Sequence, residues 1–285
     1  MAGQAIGNFQ ILGTLGKGAN STILHVRCST DSKQYALKVV PLESKEDAKF
    51  LEQAQHEFKV AQLLDHKNLI KIHALETPRD WLFRIRKVHL LIEYVNGQTL
   101  DKMKRLSIPR LVQIFEKVAS GLVHMHRRGV FHADIKPNNI MLTKTGEVKI
   151  IDYGLAWIRG EPKGRVQGTP EYMAPEQARA GNVNESTDIY NFGATMYRLV
   201  TWRLPPPAVS TDGMPMDAKT FKTLFKPVQE STAQAPPELC DLIQQCLEFH
   251  PNKRPERMSE IQGTLDHLVD MVVTAPEDRL EAMEW

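Results

Sequence analysis

Apolar positions along the first hundred residues alternate or cluster in short runs, the pattern of half-buried strands. Residues 9–16 (FQILGTLG) and 21–28 (STILHVRC) are rich in β-formers, and Gly16, Gly18 and Asn20 predict a hairpin between them. Residues 33–42 (KQYALKVVPL) predict a third strand, halted at Pro41. Over residues 45–64 the period changes, with Phe50, Leu51, Ala54, Phe58, Ala61 and Leu64 recurring at helical spacing. Two more strand-like runs follow at 69–75 and 88–95. The connection between them carries Trp81 with Arg79, Arg84, Arg86 and Lys87, and reads either as a partner surface or as a solvated link whose indole packs back.

Beyond Gly97 the pattern is helical. Leu111, Ile114, Phe115, Val118, Leu122 and Met125 share one face of a helix over 109–129, and Gly129 supplies its stop. Short strands are predicted at 139–143 and 148–152, joined by a turn over 144–147, and helices resume from Pro175. Residues 203–237 are Pro-rich and read as irregular, residues 236–249 and 256–272 as closing helices, and the last dozen as a polar acidic tail. This divides the chain into a strand-rich region with one helix, 1–95, a larger mainly helical region, 96–272, and the tail, 273–285. The join near 93–99 is expected to border a cleft.

Composition narrows the classes. Of 285 residues 42% are apolar and 25% charged, which excludes a disordered or collagenous chain. Thirty-six basic against 34 acidic side chains leave a net charge of +2, so no charge excess draws the chain to nucleic acid or anionic lipid. Three scattered cysteines (Cys28, Cys240 and Cys246) fit reduced thiols, the last two as packing residues. The N-terminus lacks secretory and myristoylation patterns, and no apolar run reaches membrane-spanning length. The expectation is a soluble, cytoplasmic protein with no membrane segment and no nucleic-acid partner.

The chemistry concentrates in four places. Gly16-Lys17-Gly18-Ala19-Asn20-Ser21-Thr22-Ile23 serves either as a turn needing positive φ or as a backbone cover for phosphate oxygens. It is no Walker loop, because a strand follows it. Lys38, in an apolar strand, is either a solvent-facing edge residue or the partner of Glu57 on the next helix. The stretch His132-Ala133-Asp134-Ile135-Lys136-Pro137-Asn138-Asn139 sets carboxylate, ammonium and amide within six residues, and Asp152 follows thirteen residues after Asn139. Such oxygen donors suit Mg²⁺ completed by substrate phosphates.

With these motifs in this order, the chain resembles the eukaryotic-type (Hanks-type) protein kinases over residues 9–268, in the Ser/Thr branch. Gly168-Thr169-Pro170-Glu171-Tyr172-Met173-Ala174-Pro175-Glu176 matches the end of the activation segment, residues 187–193 the central helix, and His250-Pro251-Asn252-Lys253-Arg254-Pro255 the arginine that pairs with Glu176. Ala-Pro-Glu-Gln at 174–177 is similar to bacterial members. The resemblance implies an α+β, bilobal protein-kinase fold: a small antiparallel β lobe with one helix, and a larger mainly helical lobe. It implies ATP and Mg²⁺ as cofactors, with Mn²⁺ able to substitute, and protein substrates bearing Ser or Thr. It further implies that Asp134 receives the hydroxyl proton, Lys136 neutralises the transferring phosphoryl group and Asn139 and Asp152 hold the metal. Lys38, held by Glu57, would grip the α- and β-phosphates under Gly16, Gly18 and Ser21. Ile23, Ala36 and Met141 would sandwich the adenine, Glu93 and Val95 would bind its edge, and Ile92 would line the back of the pocket. Thr169 would bond near Asp134 and Lys136.

Three departures from the family pattern stand out. Ser21 occupies the third glycine position, where it either crowds the phosphates or donates to them. Tyr153 replaces the Phe of Asp-Phe-Gly, and its hydroxyl needs a partner if buried. Ala133 replaces the arginine before the catalytic aspartate, while residues 155–168 contain no Ser, Thr or Tyr. The paired absence predicts an activation segment that orders without phosphorylation, assisted by Arg159, Lys163 and Arg165 or by an acidic protein regulator. The competing readings are a nucleotide-binding scaffold without catalysis, against which Lys38, Asp134 and Asp152 all stand, and a small-molecule kinase, against which the 168–176 segment stands.

Overall fold

The computed structural model describes residues 5–18, 20–82, 84–161, 168–179, 183–210 and 214–282, which fall into two compact units. Lys163 and Arg165, named above as helpers of the activation segment, lie outside the described residues.

The first unit comprises residues 1–65, 69–96 and 152–154. Strands β1 (Ala5–Ile6), β2 (Phe9–Gly18), β3 (Ser21–Cys28), β4 (Gln34–Pro41), β5 (Ile72–Glu76) and β6 (Lys87–Glu93) form one antiparallel sheet in the order β1-β2-β3-β4-β6-β5. Helix α1 (Ala48–Gln62) packs on β5 and β6, burying Ala54, Val60 and Ala61. Register settles which residues share a face. Ile23 pairs with Lys38, and Ala36 pairs with His25 on one side and Ile92 on the other. Opposed residues and every second residue lie on one side of a pleat, so Ile23, Ala36, Lys38 and Ile92 are on the same face.

The second unit comprises residues 66–68, 97–151 and 155–285. It begins with β7 (Gly97–Thr99), followed by α2 (Ile108–Arg127), β8 (Val130–Phe131), β9 (Ile140–Thr143), β10 (Val148–Ile150) and β11 (Trp157–Ile158). Helices α3 (Pro175–Ala178), α4 (Glu185–Thr201), α5 (Ala218–Leu224), α6 (Pro237–Cys246) and α7 (Met258–Val272) complete it. The apolar stripe of α2 is fully buried, and α4 buries nearly its whole circumference. A helix buried all round is a core axis, and α2 and α6 pack against α4. Cys240 and Cys246 are both fully buried in α6, and burial pushes the Cys246 thiol up to about 12, so it packs as an apolar group. Among the described residues no helix is long and apolar enough to cross a membrane.

Three expectations change. The stretch 203–237 is not wholly irregular, because Asp217 caps α5 by accepting from Lys219 and Thr220 N–H. The tail is anchored in part: Leu280 is fully buried, and Arg110 and Gln113 donate to the carbonyls of Glu277 and Asp278. Gly146, at φ +80°, admits this contact, since a Cβ there would lie 2.9 Å from Leu280. Trp81 does not pack back, being 85% exposed on a turn held by Asp80, which accepts from Leu82 and Arg84 N–H and from Arg86.

Candidate active site

In the first unit, β4 delivers Lys38 and α1 delivers Glu57, with Nζ donating to Oε2 at 2.6 Å. The Glu57 side chain is only 5% exposed, so its charge needs this partner. Burial alone would push the Lys38 ammonium down, but the Glu57 and Asp152 carboxylates outweigh it and hold Lys38 above its ordinary value. Burial pushes the Glu57 carboxyl up. The ordinary values of the two groups lie so far apart that the proton stays on the lysine. The solvent-facing alternative for Lys38 is thus excluded. A cavity of about 200 Å³ is lined by Ser21, Lys38, Val40, Phe50, Gln53 and Glu57. Ser21, at the third glycine position, therefore opens onto the same space as Lys38.

The glycine hairpin also resolves. Neither Gly16 nor Gly18 lies in the positive-φ region, so backbone conformation does not demand them. A Cβ on Gly16 would meet nothing within 4 Å, while one on Gly18 would lie 2.9 Å from the Ser21 hydroxyl oxygen. Asp152 adopts φ +70°, and its Oδ1 accepts the N–H of Gly154 at 3.0 Å. Tyr153 is fully buried, and its hydroxyl donates to the Ile70 carbonyl at 2.9 Å. Tyr153→Phe is expected to lower unfolding stability by about 1–2 kcal/mol, because it orphans a buried carbonyl. An unchanged or raised urea midpoint would show that this bond contributes nothing.

In the second unit the loop after β8 places Asp134 at the centre of a network. Lys136 Nζ donates to Asp134 Oδ2 at 2.6 Å and to Thr169 Oγ1 at 2.5 Å. Thr169 donates to Asp134 Oδ1 through its hydroxyl at 2.8 Å and its N–H at 3.0 Å. Asn139 turns its amide N–H₂ to the Asp134 backbone carbonyl at 2.9 Å and to Oδ2 at 3.2 Å, leaving its own carbonyl oxygen as the acceptor for a cation. Met141 lies on β9, opposite Lys149 and Thr99. Glu93 ends β6 and Val95 follows it in the first unit.

The loop is held by residues that sequence motifs did not assign a role. Asp188, fully buried in α4, accepts the N–H groups of His132 (2.8 Å) and Ala133 (2.7 Å). Gln177 donates to the Ala133 carbonyl at 2.9 Å, while its own carbonyl accepts from Ala174 N–H and Asn191. Both backbone groups of Ala133 are thereby clamped, which sustains its left-handed φ of 63°. The available signal was a buried Asp and Asn inside an otherwise apolar helix.

His126, from α2, is the third partner of Asp188. Its Nε2 lies 2.8 Å from Asp188 Oδ2 and its Nδ1 3.2 Å from Glu185 Oε1. Burial works against the charged ring, but the two carboxylates prevail and raise its pKa to about 9. Arg127, Arg159, Arg257 and Glu256 line a cavity together with His126. Because the folded value exceeds the unfolded one of about 6.5, this contribution is complete below about pH 6.5 and vanishes as pH rises through about 9. Its size is up to about 3 kcal/mol. Urea titrations at pH 6 and pH 10 should show wild type losing about 2–3 kcal/mol more than His126→Gln; parallel losses would remove His126 from the account.

The arginine expected to pair with Glu176 does so bidentately. Arg254 Nη1 donates to Oε1 at 2.8 Å and Nη2 to Oε2 at 3.0 Å, with the guanidinium 0% exposed.

The sequence profile described as protein kinase domain matches residues 9–267. A probable serine/threonine-protein kinase of Streptomyces coelicolor is 26% identical over 274 residues, covering 93% of this chain and 40% of that protein. The serine/threonine-protein kinase PrkC of Bacillus subtilis is 29% identical over 207 residues, covering 70% of this chain and 31% of that protein. The serine/threonine-protein kinase PksC of Streptomyces coelicolor is 30% identical over 271 residues, covering 89% of this chain and 48% of that protein. The chain spans less than half the length of these curated relatives.

Proposed function

Since this chain belongs to the protein kinase domain family, we propose that it transfers the γ-phosphoryl group of ATP to serine and threonine hydroxyls of protein substrates. The observation that carries this reading is the Asp134–Lys136–Thr169 network, a buried carboxylate with an ammonium and a hydroxyl fixed against it. The substrate oxygen forms a bond to γ-phosphorus as the bond to the β–γ bridging oxygen breaks, and the hydroxyl proton passes to Asp134. Lys136 neutralises the charge on the moving phosphoryl oxygens. Catalysis of this kind is positioning and charge compensation, which rigid short hydrogen bonds supply.

Lys38 grips the α- and β-phosphates, and Glu57 keeps the ammonium in place. Gly16, Gly18 and Ser21 cover the phosphates. Ile23, Ala36 and Ile92, which share a sheet face, contact the base together with Met141, and backbone groups of Glu93 and Val95 bind its edge. Asn139 and Asp152 would hold an Mg²⁺ ion, which would supply charge neutralisation to the phosphates. The oxygen-only donors of Asn139 and Asp152 fit it, and no set of three His, Cys, Asp or Glu among the described residues forms a metal site of its own.

The activation segment works without phosphorylation. Ala133 is buried with Phe131 and Val183, and Trp157 packs on this cluster with its ring stacked on Phe131 at 5.7 Å. Arg159 lies over the other aromatic contact, 5.5 Å from the Phe131 ring. The start of the segment is thus held by apolar area where relatives with an arginine before the aspartate use charge.

The test is incubation with γ-labelled ATP, Mg²⁺ and casein, followed by phosphoamino-acid analysis. Label on serine or threonine with wild type, and none with Lys38→Met, is expected. Label confined to small molecules, or equal incorporation by the variant, would overturn the reading. Prior phosphatase treatment should leave the rate unchanged; a large loss would overturn the phosphorylation-free activation segment.

A further inference from the structure

On the second unit, away from Asp134, a cavity of about 510 Å³ lies where the C-terminal end of α2, the residues after β11, the start of α4 and the turn into α7 meet. Its charged lining is unbalanced. Arg127 comes from α2, Arg159 from the chain after β11, and Arg257 from the residue before α7. Against these stand Glu185 and Glu256. Glu185 is engaged with His126 at the floor, and Glu256 lies only loosely against Arg257, at 4.0 Å with both side chains well exposed. Three arginines against two glutamates leave the lining a net charge of +1, and the His126 ring is held between Glu185 and Asp188.

We propose that this cavity is a docking site for an acidic segment of another polypeptide, whose Asp and Glu carboxylates engage the guanidinium forks of Arg127, Arg159 and Arg257. The forks suit carboxylates because each presents paired donors in one plane. Three arginines on three separate elements match successive carboxylates along a chain better than one small anion. Among the described residues of the lining, Val123 is the one apolar side chain, which suits a charged occupant better than a base or an acyl chain. The neighbouring segment of this chain cannot fill the role itself, because residues 155–168 hold one acid, Glu161, and no phosphorylatable hydroxyl.

The floor of the cavity gives such docking a consequence. His126 bridges Glu185 to Asp188, and Asp188 holds the backbone N–H groups of His132 and Ala133, the two residues before Asp134. An occupant is therefore one side chain removed from the loop that carries the central carboxylate.

Fluorescence anisotropy of fluorescein-labelled hexaglutamate at low ionic strength tests the site without reference to catalysis. Wild type should bind saturably and hexalysine should not bind. Arg127→Gln combined with Arg257→Gln should weaken binding about tenfold, while Arg79→Gln with Arg84→Gln, at the exposed Trp81 turn, should leave it unchanged. Far-UV circular dichroism and the thermal midpoint establish that each variant is folded. Glu256→Lys, which adds a cation at the rim, should strengthen binding about threefold whether or not the double variant folds. Equal affinity in the double and rim variants, or saturable binding of pyrophosphate without binding of hexaglutamate, would overturn the proposal.

Discussion

Asp134→Asn is expected to lower kcat for phosphoryl transfer to protein by about 10³–10⁴ while leaving the KM for ATP within about threefold. The amide keeps the size of the carboxylate, but it can neither take a proton nor satisfy all its donors. Lys136 Nζ and both donors of Thr169 converge on the two oxygens of Asp134. In asparagine one of those oxygens becomes an N–H₂ group facing a donor. On the function proposed above, the loss combines a missing base with a displaced Lys136, both felt in the transition state rather than in nucleotide binding. The observation that decides it is the split between the two constants. A fall in kcat of less than tenfold would mean that Asp134 only positions Lys136 and Thr169, while a large rise in KM for ATP would move it into nucleotide binding.

Arg254→Met carries the largest expected effect on stability, about 3–5 kcal/mol. Every donor of the guanidinium is committed: Nε to the Glu248 carbonyl, Nη1 to Glu176 and the Ser186 carbonyl, and Nη2 to Glu176 and the Phe249 carbonyl. The group also lies 4.8 Å from the Tyr190 ring centroid. Methionine preserves much of the volume but leaves three backbone carbonyls without this donor and a half-buried carboxylate without its cation. For a domain of this size the thermal midpoint should drop by about 6–15 °C. The exposed pair Lys71–Asp65 supplies the contrast: its side chains are 51% and 82% exposed, and Lys71→Met should leave the thermal midpoint nearly unchanged. Equal midpoint shifts in the two variants would contradict the assignment of Arg254 as a buried structural hub.

The order of elements and the residues of the Asp134 network were legible because they lie in short, contiguous motifs. The pairing of Lys38 with Glu57 was also legible, as a strand residue and a helix residue 19 positions apart in neighbouring elements. What escaped were contacts that no local spacing encodes. His126 and Asp188 are 62 residues apart, and Gln177 reaches the Ala133 carbonyl across 44. Helix α5 was hidden because a seven-residue segment with Phe221 as its one buried side chain has no period to detect. Its signal was the cap, Asp217, rather than any apolar stripe. The anchoring of the polar tail was not legible for a similar reason: among the described residues of 273–281 only Leu280 is buried, and the hydrogen bonds from Arg110 and Gln113 go to backbone carbonyls of acidic residues. Composition describes side chains and is silent about such bonds.

The small residue at Ala133 and the large ring of Trp157 form an exchange of volume, and that constrains how this chain can be re-engineered. A long side chain introduced at position 133, which is 4% exposed and left-handed, would have to be accommodated in the cluster on which the indole packs. A phosphate-dependent switch therefore has to be installed by at least three concerted changes: a cation at 133, a smaller residue at 157 and a hydroxyl within 155–168. A smaller residue at 157 alone removes packing from this cluster, and a hydroxyl in 155–168 alone has no cation at 133 to answer it. Lineages of such chains should consequently keep the pair together or lose it together.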